Sequence, residues 1–250
     1  MIIGHRGAGR GPVHTPSGVV HENTIASFLA AHGHGASWIE TDAVRTADNE
    51  LVLHHDTVLS DGTPIDTLTL AEAATHGLDS LAEAFRTLPA SLGMIVEVKH
   101  ILGDTDISRP DSAGMVAAAL VAERHRSGRP LASYGFDAST VGRLKPIVTG
   151  EGILVGTIAE GGSDLAGMVL TAQREGLRIV AAHTSSLLGE RAERQMRPNN
   201  LASVVQHAHD LGQIVLAWCP GLEAARILAD AGVDALCVDD IPAFMTQWVR

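Results

Sequence analysis

Glu40 and Asp42 stand two residues apart behind the apolar Trp38 and Ile39, and at a strand end that spacing puts both carboxylates on one face. Glu97 and Lys99 repeat the arrangement behind the run GMIV. Three carboxylates without a thiolate beside them suit a hard divalent cation, Mg²⁺ or Ca²⁺, better than zinc. An ion on Glu40, Asp42 and Glu97 would bridge phosphate oxygens and stabilise the charge that grows during a displacement. Arg6, a planar fork, and Lys99, a point charge, complete a cradle for that phosphate. His5 and His55 offer two imidazoles that titrate near neutrality, one to accept a proton and the other to donate one. The spacing leaves open which is the acid. Trp218, one of three tryptophans, gives a flat apolar face for an organic part of the substrate.

These residues need elements that bring them to one place. IIG before His5, ASWIETD and GMIVEVKH read as the first three strands, each ending in polar groups. From there helix and strand alternate. Ala113 to Glu123 precedes PLASYGF, Ala138 to Leu144 precedes GILVGTI, Leu165 to Glu175 precedes LRIVAAH, Leu201 to Leu211 precedes QIVLAW, and Leu222 to Ala231 precedes DALCVDD. Gly176, Gly212 and Gly232 end three of the helices. Eight alternating strands predict an α/β fold, a (β/α)8 TIM barrel, with its site at the carboxyl ends of the strands. His5 and Arg6, Glu40 and Asp42, Glu97 and Lys99, His183, Trp218 and Asp239 all follow the apolar part of a strand, so they would ring one mouth. His183 reads as a core or supporting group, and His54 as a neighbour of His55 turned to the opposite face. The segment GAGRGPVHTPSGVV reads as a long glycine-rich loop over the mouth. HENTIASFLAAHGHGA reads as a helix with Ile25, Phe28 and Leu29 on its apolar side and His32 and His34 at its end. Leu70 to Leu88 reads as one helical stretch.

Composition narrows the function classes. The chain has 250 residues, 45% of them hydrophobic, but only 3% aromatic, so Ala, Val, Leu and Ile must build the core. No linker or repeat divides it, which predicts one domain over residues 1–250. The net charge of −11, with no long basic run, argues against a nucleic-acid or anionic-membrane surface. No uncharged apolar run is long enough for stable membrane insertion, and MIIGHRG lacks the pattern of a signal peptide; the expected location is cytoplasmic. Cys219 and Cys237 are too few for a disulfide framework and read as reduced core thiols. The oligomeric state is not legible.

HRG at 5–7, ENT at 22–24, ETD at 40–42, HD at 55–56, EVK at 97–99 and the closing stretch from LAW to VDALCVDD follow one another in an order that resembles the glycerophosphodiester phosphodiesterase family. The resemblance implies a barrel hydrolase that cleaves a glycerophosphodiester to glycerol 3-phosphate and an alcohol, with one divalent cation on Glu40, Asp42 and Glu97. It also implies His5 and His55 as the acid/base pair, Arg6 and Lys99 on the phosphate, and Trp218 beside the glycerol. The chain departs from the family pattern in a longer HRG-to-ENT loop, in His21 before ENT, in a short segment between His55 and Glu97 that leaves a small or absent insertion subdomain, in Gly135, and in the CPG after Trp218. Two other functions fit the same residues. One is phospholipase D-like hydrolysis of lysophospholipid or sphingomyelin, and the other is a barrel that binds phosphate esters without catalysis.

Overall fold

The computed structural model describes residues 1–15, 18–99, 110–159, 161–188 and 198–248. Eight short runs dominated by Ala, Val, Leu and Ile form parallel strands: β1 (Ile2–Gly4), β4 (Trp38–Arg45), β6 (Gly93–Val98), β7 (Leu131–Gly135), β8 (Leu154–Ala159), β9 (Ile179–His183), β10 (Ile214–Trp218) and β11 (Ala235–Val238). Their order around the sheet follows the chain, and β1 pairs with both β11 and β4, which closes the ring. The result is a (β/α)8 barrel, as the alternation predicted. Closure removes the sheet edges that an open parallel sheet would leave unpaired.

The period of two along each strand divides the apolar residues between two layers. Ile3, Ile95, Ala132, Ile158, Ile179, Leu216 and Cys237 pack inside the ring. A second set, including Ile39, Met94, Val96, Val155 and Val215, meets the helices outside. Trp38 plugs the amino-terminal end of the barrel, and it fits because Gly93 has no Cβ, which would lie 2.3 Å from the indole.

The helices are α1 (Ile25–Gly33), α2 (Leu70–Thr75), α3 (Leu81–Thr87), α4 (Ser112–Ser127), α5 (Ala138–Val148), α6 (Leu165–Glu175), α7 (Thr184–Leu188), α8 (Pro198–Asp210), α9 (Leu222–Asp230) and α10 (Ile241–Trp248). Side chains of Thr24, Thr69, Ser80, Asp111, Asp137 and Asp164 accept from backbone N–H groups in the first turn of the helices they precede, satisfying donors that have no partner within the helix. None of the described helices is long and apolar enough to cross a membrane.

Three local expectations change. The long loop contains an antiparallel hairpin, β2 (Pro12–Thr15) with β3 (Gly18–His21), because the β-branched residues of PVHT and GVVH flank a turn sequence. The stretch 70–88 is two helices, not one. Gly77 takes a left-handed φ of 80° that ends α2, and Asp79 and Ser80 then pair with the antiparallel β5 (Leu51–Leu53), where the Leu53 N–H donates to the Asp79 carbonyl at 2.9 Å. Leu29 is exposed, so the buried face of α1 rests on Phe28 and Ala31.

Candidate active site

The site follows from strand register. Asp42 sits directly beside Glu97, and Gly4 lies beside both Ile39 and Val238, so the next residues, His5, Glu40 and Asp239, arrive at one level. Glu97 pairs with Tyr134, and Trp218 pairs with Cys237. Each of these side chains is two residues beyond an inward-facing core position: Ile3 to His5, Trp38 to Glu40, Ile95 to Glu97, Leu216 to Trp218, Cys237 to Asp239. The side chains of His5, Arg6, Glu40, Glu97, Lys99 and Trp218 line one cavity of about 400 Å³ at the carboxyl ends of the strands, and His55 reaches its wall from the loop after β5. Asp42 lies beneath it, between Lys99 and Asn23.

Glu40 and Asp42 are 1% exposed and Glu97 5%, and one oxygen from each lies within 4.8 Å of the other two. Burial, then the charges of Asp42 and Glu97, hold Glu40 well above its ordinary pKa. Burial and Asp42 raise Glu97 to about 7. Asp42 titrates low despite its burial, because Lys99 and Asn23 hold its charged form. The Lys99 ammonium bonds Asp42 at 2.8 Å and also Glu97, and these two carboxylates more than offset the burial that would lower its pKa. Three crowded carboxylates thus lack enough positive charge around them. Their oxygen-only donor set, buried and convergent, fits a hard divalent cation.

Two side-chain donors at the mouth are buried without a hydrogen-bond partner, Arg6 Nε and Trp218 Nε1. Arg6 is fixed by a strained backbone at φ 52°, which aims its N–H at Glu40 at 3.0 Å, while its guanidinium pairs with Glu22 at 2.6 Å. Asn23 is also left-handed, at φ 55°. Its amide donates to Asp42 at 2.8 Å and accepts from the Thr41 hydroxyl at 2.8 Å.

Each imidazole rests on a carboxylate. His5 Nδ1 lies 2.6 Å from Asp239, and Nε2 faces inward, 3.9 Å from Glu40. His55 Nδ1 lies 2.8 Å from Asp56. A carboxylate acceptor favours the proton on Nδ1, leaving Nε2 as the second, reactive nitrogen. Burial and then Lys99 lower the His55 pKa, against the pull of Asp42. Burial would raise Asp239, but His5 and Arg10 bring it down to about 2. Arg10 reaches Asp239 through Nε and Nη2, both at 2.9 Å, and Gly9 makes this approach possible; a Cβ there would lie 1.7 Å from the Asp239 carbonyl.

Glu22, Asn23, Asp56 and Arg10 were not among the sequence candidates, although ENT and HD contain three of them. Asp56 stands next to its partner His55 in the sequence, whereas Glu22, Asn23 and Arg10 meet Arg6, Asp42 and Asp239 only in the folded chain. Cys219 was expected in the core. It is instead half-buried, with φ 56° and Sγ 3.6 Å from His5 Nδ1, and burial together with Asp239 pushes its thiol up to about 12, so it stays protonated. Cys237 is a buried free thiol inside the barrel, as expected. His183 packs edge-on against Trp218 with ring centroids 4.5 Å apart and bonds Ser185, a supporting place. His54 Nδ1 bonds the Asp56 carbonyl at 2.8 Å and faces a different cavity.

Residues 5–102 match the glycerophosphoryl diester phosphodiesterase family. A glycerophosphocholine phosphodiesterase of Rattus norvegicus is 24% identical across 99% of this chain and 44% of its own length. That of Eremothecium gossypii is 39% identical over 74 residues, which is 28% of this chain and 6% of its own. The chain therefore spans less than half the length of these curated relatives. A phosphodiesterase of Oleispira antarctica in complex with sn-glycerol-3-phosphate superposes with a TM-score of 0.75 at 20% identity, over 100% of this chain and 97% of that one. A glycerophosphodiester phosphodiesterase of Thermotoga maritima gives 0.72 at 18%, with coverage of 100% and 97%. At such identities the two structures speak for the shared barrel.

Proposed function

We propose that this chain, which carries the glycerophosphoryl diester phosphodiesterase signature over residues 5–102, hydrolyses glycerophosphodiesters to glycerol 3-phosphate and an alcohol. The observation that carries the reading is the convergence of three buried carboxylates, two phosphate-seeking cations and two carboxylate-backed imidazoles on one cavity. Glu40, Asp42 and Glu97 would hold Mg²⁺ or Ca²⁺, which when bound supplies Lewis-acid charge to the phosphoryl oxygens.

The protein's own groups do the rest. Arg6, whose Nε faces Asp42 at 3.6 Å without a hydrogen bond, and Lys99 bind and orient the phosphate. Trp218 packs against the glycerol, with Phe136 edge-on at 6.3 Å as a second wall, and the free indole N–H is a donor for a hydroxyl. One imidazole takes the proton from water as its oxygen bonds to phosphorus. The other gives a proton to the departing alkoxide as the second P–O bond breaks, so the alcohol leaves neutral and glycerol 3-phosphate remains.

A coupled assay for glycerol 3-phosphate over several glycerophosphodiesters tests the reading, with Mg²⁺, with Ca²⁺ and after chelation. Turnover is expected only with a divalent cation and only with both His5 and His55 present. Product release that survives His5→Ala and His55→Ala alike, or full activity after exhaustive chelation, would overturn it.

A further inference from the structure

His55 is a wall shared by two cavities. On one side is the pocket of His5, Arg6, Lys99 and Trp218, and on the other a cleft of about 430 Å³ that runs outward between the start of α1 and the segment 53–78. That volume falls in the usual range for small-molecule sites, about 300–1,000 Å³. A phosphodiester has two arms across its phosphorus. With the glycerol against Trp218, the second arm of a phosphate placed beside His55 has this cleft to enter.

The cleft's chemistry discriminates among alcohols. Its floor is the buried Leu53, Leu59 and Leu78, and exposed side chains of His21, Ser60, Asp61 and His76 form its rim. The rim exists because Gly77 breaks the helical stretch there and hairpin strand β3 ends at His21. Imidazole, hydroxyl and carboxylate groups together offer both donors and acceptors, which matches a molecule with several hydroxyls. Quaternary ammonium groups are recognised by aromatic faces, and no Phe, Tyr or Trp is among the described residues that line the cleft.

We propose that this second cavity binds the leaving alcohol of the diester, and that it is shaped for a polyhydroxylated alcohol, glycerol- or cyclitol-like, rather than for choline. The inference rests on the phosphodiesterase reading above. It is tested by kcat/KM for glycerophosphoglycerol, glycerophosphoinositol, glycerophosphocholine and the methyl ester of glycerol 3-phosphate, whose alcohol is too small to reach the rim. The wild-type protein is expected to prefer the polyol diesters to glycerophosphocholine by tenfold or more. In His76→Ala and Ser60→Ala, each checked for folding by circular dichroism, the ratio of glycerophosphoglycerol to methyl-ester turnover is expected to fall at least fivefold. An active enzyme whose ratio stays within twofold of wild type in both variants, or that prefers glycerophosphocholine tenfold, overturns the subsite alone. Failure to hydrolyse any diester, the methyl ester included, overturns the activity reading and the subsite with it.

Discussion

Asp239 touches no phosphate in the proposed reaction, yet its position decides what His5 can do. One carboxylate oxygen meets His5 Nδ1 at 2.6 Å, and the other is held by Arg10 at 2.9 Å, so the imidazole is pinned with Nε2 facing inward. Asp239→Asn keeps the shape and removes the charge. We expect kcat for the glycerophosphodiester to fall about ten- to a hundredfold, the scale seen when the partner behind a functional imidazole is lost, with KM changing less. A kcat within twofold of wild type would refute the role. His5→Ala and His55→Ala should each cost about 10²-fold or more in kcat. Asp239 also links stability to pH. Its pKa is lowered from 3.8 to about 2 on folding, so its contribution is fully present above 3.8 and disappears as the pH falls towards 2. Discounted for partial exposure, the contribution is about 1–2 kcal/mol. Urea unfolding of wild type and Asp239→Asn should show a stability gap that narrows across that window; a gap that widens would reverse the sign. None of this pairing was readable from local sequence, since 234 residues separate His5 from Asp239.

Among the elements, the carboxyl end of α3 shows how a side chain outside the site holds the frame. Arg129 is completely buried just before β7, and its guanidinium donates to the carbonyls of Phe85, Leu88, Pro89 and Leu92 at 2.8–3.2 Å and to Glu123 at 2.8 Å. These carbonyls end or follow α3, where the helix leaves acceptors without intrahelical partners, so one cation ties α3, α4 and the entry to β6 together. Arg129→Ala would strip the buried carbonyls of Leu88 and Leu92 of this donor and leave Glu123 to Arg126 and Ser127, at a cost of about 3–5 kcal/mol in urea unfolding, and Lys would restore little because it lacks the fork. A loss under 1 kcal/mol would contradict this. The sequence offered no hint, since RPL reads as a polar turn before a strand. Gly9 is the matching case at the mouth. With φ 140° and the Asp239 backbone carbonyl in the space of its Cβ, Gly9→Ala should lift Arg10 off Asp239 and lower kcat, and because backbone must shift to admit the methyl group it should lower the melting temperature as well. The strands themselves were legible because apolar residues with a period of two survive any tertiary context, and HRG, ETD and EVK fell at the ends of that pattern. The hairpin of β2 and β3 was missed because the glycines and prolines around its short strands read as loop although its pairing is local, and the break at Gly77 because it is set by the pairing of Ser80 with the distant β5.

Across the whole molecule, the barrel gathers three buried acids at one mouth. The chain carries a net −11, and β4 and β6 bring three of its acids into a space shielded from water, with Lys99 and the partly engaged Arg6 as the nearby cations. Folding must therefore either protonate some of these carboxylates or work against their repulsion, which is the state that Glu40 and Glu97 show by their raised pKa values. A cation bound only by the folded barrel would relieve this cost and link two neighbouring strands of the ring. Binding of that kind raises stability by about 2.7 kcal/mol when the free ion is at 100 times its Kd. For a domain of this size each kcal/mol moves the melting temperature by about 2–4 °C, so saturating Mg²⁺ or Ca²⁺ should raise the Tm of chelator-treated protein by about 5–10 °C. Calorimetry in low-phosphate buffer measures it independently of turnover. The shift should vanish in Glu40→Gln combined with Glu97→Gln, and that variant should itself be at least as stable as metal-free wild type, because neutral amides remove the like-charge crowding. An equal shift in wild type and the double variant would mean that the ion binds elsewhere, and a double variant that melts far below the metal-free protein would mean that these carboxylates are held by their hydrogen bonds rather than strained by their charge.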